Sequence, residues 1–169
     1  MALRRILTQE DETLRKVSRR VEKFDKRLHT LIDDMKETLL DANGAGLAAP
    51  QVGVLRRVVV VMGEKEGEII ELVNPEIIKY EGEQDGMEGC LSIPGEYGLV
   101  VRPMKVTVGA QDRNGKFFTV TGEELTARAF CHELDHLDGR LYIDVAHEML
   151  TAEQIEAIIA EQEKEDAEE

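Results

Sequence analysis

Residues 105–138 read KVTVGAQDRNGKFFTVTGEELTARAFCHELDHLD, and this stretch decides the fold class. Residues 105–111 and 116–121 are rich in β-branched and aromatic side chains, and Asn114–Gly115 between them is a strong hairpin signal. A capping box, Thr121 with Glu124, is expected to open a helix that runs to about Asp138, with Gly139 just past its end. Working outward, residues 57–62, 68–73 and 76–80 also read as strands. Residues 25–43 place Leu28, Leu31, Ile32, Met35 and Leu39 at helical spacing, with Asp25 as N-cap and Gly44 as the stop. A loop of small residues, GAGLAAPQ at 44–51, follows that helix. Residues 151–163 give a third, amphipathic helix through Ile155, Ile158 and Ile159. Helix, several strands, helix is an α+β order rather than a chain of alternating βαβ units.

The 169 residues carry 42% hydrophobic and 33% charged side chains, enough for one compact domain to fold without disulfide staples. Two cysteines cannot build a secreted disulfide framework, and residues 1–20 are charged throughout with no apolar signal-peptide core. No stretch approaches the ~20 apolar residues of a membrane span. A soluble protein of a reducing compartment, the cytoplasm, is the expectation. Net charge is −14, and half of it lies in residues 151–169, where eight acids face one lysine. That balance gives no footprint for duplex DNA, which needs clustered Lys and Arg. The pair Arg4–Arg5 and the group Arg15, Lys16, Arg19 and Arg20 are interleaved with acids and read as solvated surface. The reading divides the chain into a catalytic domain over residues 1–150 and a C-terminal helix with an acidic tail over 151–169.

The chemistry sits in His132–Glu133–Leu134–Asp135–His136. Residues four apart on a helix share a face, so both imidazoles can point at one metal ion. Glu133 is offset by one position, close enough to act on water beside that ion without being a ligand. The bland alternative is a wet helix face that happens to carry two histidines, but Leu125, Phe130, Leu134 and Leu137 suggest apolar surroundings, where unpaired polar groups are costly. The location of the third ligand separates the classes. The metalloprotease pattern H-E-x-x-H-x-x-G-x-x-H is matched up to Gly139 and fails at Tyr142; His147 and Glu148 lie outside its spacing. Upstream, Glu88–Gly89–Cys90–Leu91–Ser92 offers a thiol, a strong ligand for Zn or Fe(II), in a glycine-containing segment. Two histidines and a cysteine would leave a fourth position open, as catalytic sites require. A closed structural metal module would need a fourth protein ligand and would leave Glu133 and Gln51 without a task.

Three segments in order, GAGLAAPQ at 44–51, EGCLS at 88–92 and HELDHL at 132–137, resemble the peptide deformylase family. The resemblance extends to DETLR at 11–15, Asn74–Pro75 and HLDGRL at 136–141, most of the first 145 residues. It implies antiparallel β-sheets packed around a central metal-binding α-helix, with an N-terminal and a C-terminal helix. Carried over by position, Cys90, His132 and His136 would bind one divalent ion, Fe(II) natively with Zn, Ni or Co as replacements. Glu133 would move protons, and Gln51 with the Leu91 backbone N–H would form an oxyanion hole. The reaction implied is hydrolysis of the N-formyl group from N-formylmethionyl nascent peptides, releasing formate. The substrate would lie along Ala45, Gly46 and Gly89, with its methionine side chain near Leu125, Ala129 and the His132 ring. Arg102 and Asp135 are candidates for an ion pair behind the metal helix. Two features depart from the family. Cys131 stands where glutamine is usual and reads as a buried thiol. The acidic tail would repel phosphate, which weakens any transient docking on the ribosome.

Overall fold

The computed structural model describes residues 2–168. Among these residues eight strands and three α-helices appear in chain order: α1 (Lys26–Ala42), β1 (Gly46–Ala48), β2 (Val58–Met62), β3 (Ile69–Glu81), β4 (Gln84–Cys90), β5 (Ile93–Arg102), β6 (Lys105–Gln111), β7 (Phe117–Glu123), α2 (Leu125–Leu137), β8 (Glu148–Met149) and α3 (Ala152–Glu168). The strands form two sheets, one of five strands in the order β1-β2-β3-β6-β7 and one of three in the order β4-β5-β8, and every pairing is antiparallel. This is the α+β class expected from the order of elements.

The uninterrupted valine run of β2 explains the layering. Val59 and Val61 face Phe130, Leu134 and Leu137 of α2, while Val58 and Val60 face Leu31, Ile32, Met35 and Leu39 of α1. Successive strand side chains point to opposite faces, so a strand covered on both sides must be apolar at every position. The five-stranded sheet therefore lies between the two helices. α2 also touches β5 of the small sheet. Leu14, Ile93, Val100, Leu141 and Tyr142 fill a third core beneath that sheet.

Several expected boundaries shift. The strands read at 68–73 and 76–80 are one strand, β3, with a bulge at Asn74–Pro75 where its register against β6 slips. Asn74 takes φ 51°, and its side chain accepts from Val21 N and donates to Val21 O and Gln111, which holds the bulge inside the sheet. The capping box is absent at the start of α2. Thr121 is spent on a cross-strand hydroxyl bond to Thr107, 2.8 Å, and Glu124 at φ 53° turns the chain from β7 straight into the helix. α1 is ended by Asn43 in the left-handed conformation, one residue before Gly44. α3 runs to Glu168 with no buried residue, so its isoleucines form no packed stripe; Glu169, the end of the expected tail, lies outside the described residues. β4 and β5 were not expected: QDGMEGC of β4 contains no β-branched residue, and in β5 a proline and two glycines precede the apolar Leu99–Val101. No described helix is long and apolar enough to cross a membrane.

Candidate metal centre

His132, Glu133 and His136 lie on α2, and all three are buried. Cys90 ends β4, next to the turn into β5. Between them the thiol and the two imidazoles offer one donor atom each, all within 4.8 Å of one another. Cys90 Sγ is 3.4 Å from His136 Nε2. Donors bound to one tetrahedral ion at about 2.0–2.3 Å stand roughly 3.4–3.8 Å apart, so the trio fits a single divalent cation.

The rings are turned for that purpose. His132 Nδ1 donates to Glu88 Oε1 at 2.8 Å, which leaves Nε2 with its lone pair toward Cys90 and His136. Tyr142 stacks on the His132 ring with centroids 5.9 Å apart, and its hydroxyl donates to Glu96 O at 3.1 Å. The residue that broke the metalloprotease spacing is thus a packing support for a candidate ligand. His136 Nδ1 and Glu133 Oε1 are buried with no hydrogen-bond partner among the described residues. Burial, with His132 beside it, lowers the pKa of His136 well below the ordinary imidazole value, which favours the neutral, metal-ligating form. Burial also pushes His132 down, but the neighbouring Glu133 charge and the hydrogen bonds with Cys90 and Glu88 outweigh it.

Glu88 is the residue whose role the sequence did not disclose. Its carboxylate accepts from Arg102 Nε at 2.8 Å and Nη2 at 3.1 Å, from Arg128 Nη1 at 2.7 Å and from His132. Burial opposes its charge, yet these donors hold its pKa down at about 2. Arg102 reaches on to the half-buried Asp135 at 2.8 Å, so the expected Arg102–Asp135 pair exists as part of a network of five side chains, Glu88, Arg102, Arg128, His132 and Asp135. The available signal was an acid two residues before the candidate thiol ligand, since ligating histidines usually need a carboxylate on the far nitrogen.

A cavity of about 440 Å³ opens beside the trio. Ala45, Gly46 and Gln51 line it from the small-residue segment, Gly89, Cys90 and Leu91 from the β4–β5 turn, and Leu125, Ala129, His132 and Glu133 from α2. Leu125 is 69% exposed at its rim rather than part of a core. Gln51 is fixed by Ala48 N donating to its Oε1 at 2.9 Å, so its Nε2 points at Ser92 Oγ, 3.0 Å, and Cys90 Sγ, 3.7 Å. Burial raises the Glu133 carboxyl to about 7, where a group can both accept and give a proton near neutral pH. Gly46 stands against it: a Cβ there would lie 2.6 Å from Glu133 Oε2. Cys131 faces away into the α2 core, and burial lifts its thiol to about 11.

Comparison with known proteins converges on one family. A family model described as Polypeptide deformylase matches residues 3–152. The peptide deformylase of Caldicellulosiruptor bescii is 58% identical over 157 residues, covering 92% of this chain and 93% of that one. The peptide deformylase of Acetivibrio thermocellus is 54% identical over 157 residues, 92% of this chain and 91% of its own. Among solved structures, a peptide deformylase from Legionella pneumophila superposes with a TM-score of 0.82 at 46% identity, over 98% of this chain and 96% of that chain.

Proposed function

Because the chain belongs to the polypeptide deformylase family, it is a metal-dependent hydrolase that removes N-formyl groups from nascent polypeptides, and we propose that the cavity beside Cys90, His132 and His136 is where it does so. The observation that carries this reading is the placement of Glu133. A buried carboxyl of pKa about 7, next to His132 on α2, opens on the same cavity as the Gln51 amide.

Cys90 Sγ, His132 Nε2 and His136 Nε2 would hold the ion. Once bound, it would supply the Lewis-acid polarisation and the acidified water that a formamide, a poor electrophile, requires. Two imidazoles and a thiolate suit several divalent ions; Fe(II) is the native choice the family implies, with Zn, Ni and Co as substitutes. Glu133 takes the proton of the attacking water and returns it to the departing amine. Gln51 Nε2–H, held beside Cys90 by the Ala48 bond to its Oε1, and the Leu91 backbone N–H would be the donors to the developing oxyanion; one such donor is worth about 3–4 kcal/mol. β1 is an edge strand, paired only with β2, so its other edge can receive an extended peptide along Ala45 and Gly46, with Gly89 opposite. The first side chain of that peptide then falls near Leu125, Ala129 and the His132 ring. The catalytic unit is residues 1–150, and its place is the bacterial cytoplasm, where formylated chains are made. The acidic α3 does not favour contact with ribosomal phosphate.

The test is formate release from formyl-Met-Ala-Ser by anaerobically purified protein of measured metal content. Glu133→Gln should bind metal but lose at least about a hundredfold in rate, in line with loss of a general base. Cys90→Ser should lose both metal and rate. Full activity of the Glu133 variant, or undiminished metal in the Cys90 variant, would overturn the assignment.

A further inference from the structure

The face of α2 toward the cavity carries Leu125, Arg128, Ala129 and His132, at positions i, i+3, i+4 and i+7. Three of these suit an apolar side chain, and Arg128 does not. Its side chain is 8% exposed. Nη1 donates to Glu88 Oε2 at 2.7 Å and to Val100 O at 2.9 Å. The donors on Nη2 and Nε make no hydrogen bond among the described residues. No side chain covers the Nη2 edge from β4 either, because the neighbour there is Gly86, where a Cβ would stand 3.0 Å away. A buried guanidinium with unused N–H donors, lining a cavity that takes a substrate side chain, discriminates between occupants, because each occupant either supplies an acceptor or leaves those donors unpaired.

Taking the cavity as the deformylation site, we propose that Arg128 is a specificity-determining residue whose free donors meet the end of the substrate's first side chain and favour a neutral hydrogen-bond acceptor there. Methionine meets it weakly through its thioether, and methionine sulfoxide meets it strongly through the S=O oxygen. The preference is for a neutral acceptor rather than an anion. Arg102 and Arg128 are already balanced by Glu88 and Asp135, and Glu133 adds a carboxyl to the cavity wall. An incoming carboxylate would be buried beside Glu133 with no free countercharge. Norleucine, which matches methionine in shape and has no acceptor, is the apolar reference.

The experiment compares kcat/KM for formyl-Met-Ala-Ser and its methionine sulfoxide, norleucine and glutamate counterparts, using the metal-loaded wild type, Arg128→Leu and Arg128→Lys. The wild type should turn over the sulfoxide at least as well as norleucine and within about tenfold of methionine, with glutamate far behind. A purely apolar subsite would reject the sulfoxide by about tenfold or more relative to norleucine, since it would bury a polar group without a partner. In Arg128→Leu the sulfoxide-to-methionine ratio should fall by at least about tenfold, the low end for a hydrogen bond to a charged group. Arg128→Lys, which keeps a positive charge for Glu88 and removes the guanidinium fork, should lower the same ratio and covers the case in which the leucine variant does not fold. In Glu133→Gln protein, calorimetry should show Met(O)-Ala-Ser binding weakened by a similar factor when Arg128→Leu is added. A wild type that rejects the sulfoxide relative to norleucine, or a ratio unmoved in the folded variants, overturns the role of Arg128. Absence of formate from every substrate, formyl-Met included, would instead overturn the deformylation site on which it rests.

Discussion

Two imidazoles on one helix share an ion only if each ring is held with a free nitrogen turned inward, and for His132 that constraint comes from Glu88. Replacing Glu88 by Gln keeps its shape but removes the charge that pins Nδ1–H and balances Arg102 and Arg128. Metal affinity, read by zinc competition with a chromophoric chelator well below the melting temperature, should weaken by about 10–100-fold, the usual cost of losing a partner behind a ligating histidine. The melting temperature should fall as well, since removing one member of a buried ion network costs about 3–5 kcal/mol. Unchanged zinc affinity in the folded variant would show that Glu88 is structural only. A second residue-scale prediction concerns Gly46. An added methyl there would stand 2.6 Å from Glu133 Oε2, so either β1 or the carboxyl must move. With proton transfer sensitive to displacements near 1 Å, Gly46→Ala should lower kcat by about a hundredfold while metal content is kept. A kcat within a few-fold of wild type would mean that Glu133 can work from a displaced position. In the sequence Gly46 reads only as a small residue in a loop where a peptide could approach. Its contact with the Glu133 carboxyl is a tertiary fact that no local pattern encodes.

Among the elements, α1 is tied to the sheet by charge as well as by its apolar stripe. Glu71 on β3 accepts from Lys36 of α1 at 2.9 Å and from Arg113 of the β6–β7 turn at 2.9 Å, and Arg113 reaches Asp33 of α1 at 2.8 Å. Burial works against the Glu71 charge, but the hydrogen bonds from Arg113 and Lys36 prevail and hold its pKa below the ordinary value of 4.5. A depressed folded-state pKa means the stabilisation is present above the ordinary value and is lost as pH falls through the folded one. Glu71→Gln should therefore melt about 2–4 °C below wild type at pH 7, corresponding to about 1 kcal/mol for a partly exposed network, and the gap should close as pH drops well below 4.5. A gap that stays constant from pH 7 to pH 3 would assign the loss to packing. Elements with strong periodicity were legible in the sequence: α1 by its spacing of leucines, the β6–β7 hairpin by Asn114–Gly115, and α2 by its stop at Gly139. The small sheet was not, since β4 is paired by backbone bonds along a glycine- and acid-rich segment whose Glu88 and Cys90 side chains turn to the candidate metal centre. Thr121 was misread for a similar reason, its hydroxyl being taken by Thr107 across the hairpin instead of by a helix end. The cluster of Cys90, His132 and His136 was legible because donor chemistry and helical spacing both show in the chain, whereas the residues that orient it act through space.

At the scale of the whole molecule, charge and packing are unevenly distributed. Residues 151–169 carry half of the net charge of −14, and no residue of α3 is buried. The helix starts on a capping box, Thr151 accepting from Gln154 N at 3.2 Å while Gln154 Oε1 accepts from Thr151 N at 2.9 Å. Local bonds of this kind can hold a helix without any help from the core. Like charges four apart, such as Glu161 and Glu165, work against it by a few tenths of a kcal/mol per pair. An appendage with local bonds inside and no apolar face against the sheets contributes little to the stability of the rest. Ending the chain after Leu150 should leave kcat/KM for formyl-Met-Ala-Ser within about twofold and the melting temperature within about 2 °C, the range expected of surface changes of ±0.5 kcal/mol. Because the removed charge is negative, the shortened enzyme should also bind a polyanion such as heparin more tightly at low salt, with the difference fading as salt approaches 1 M and screening shortens to about 3 Å. Stopped-flow kinetics, scanning calorimetry and a heparin column at graded salt would separate the three readouts. A still-folded truncation that loses an order of magnitude in kcat/KM would show that α3 reaches the cavity in the working enzyme, and that the catalytic unit extends past residue 150.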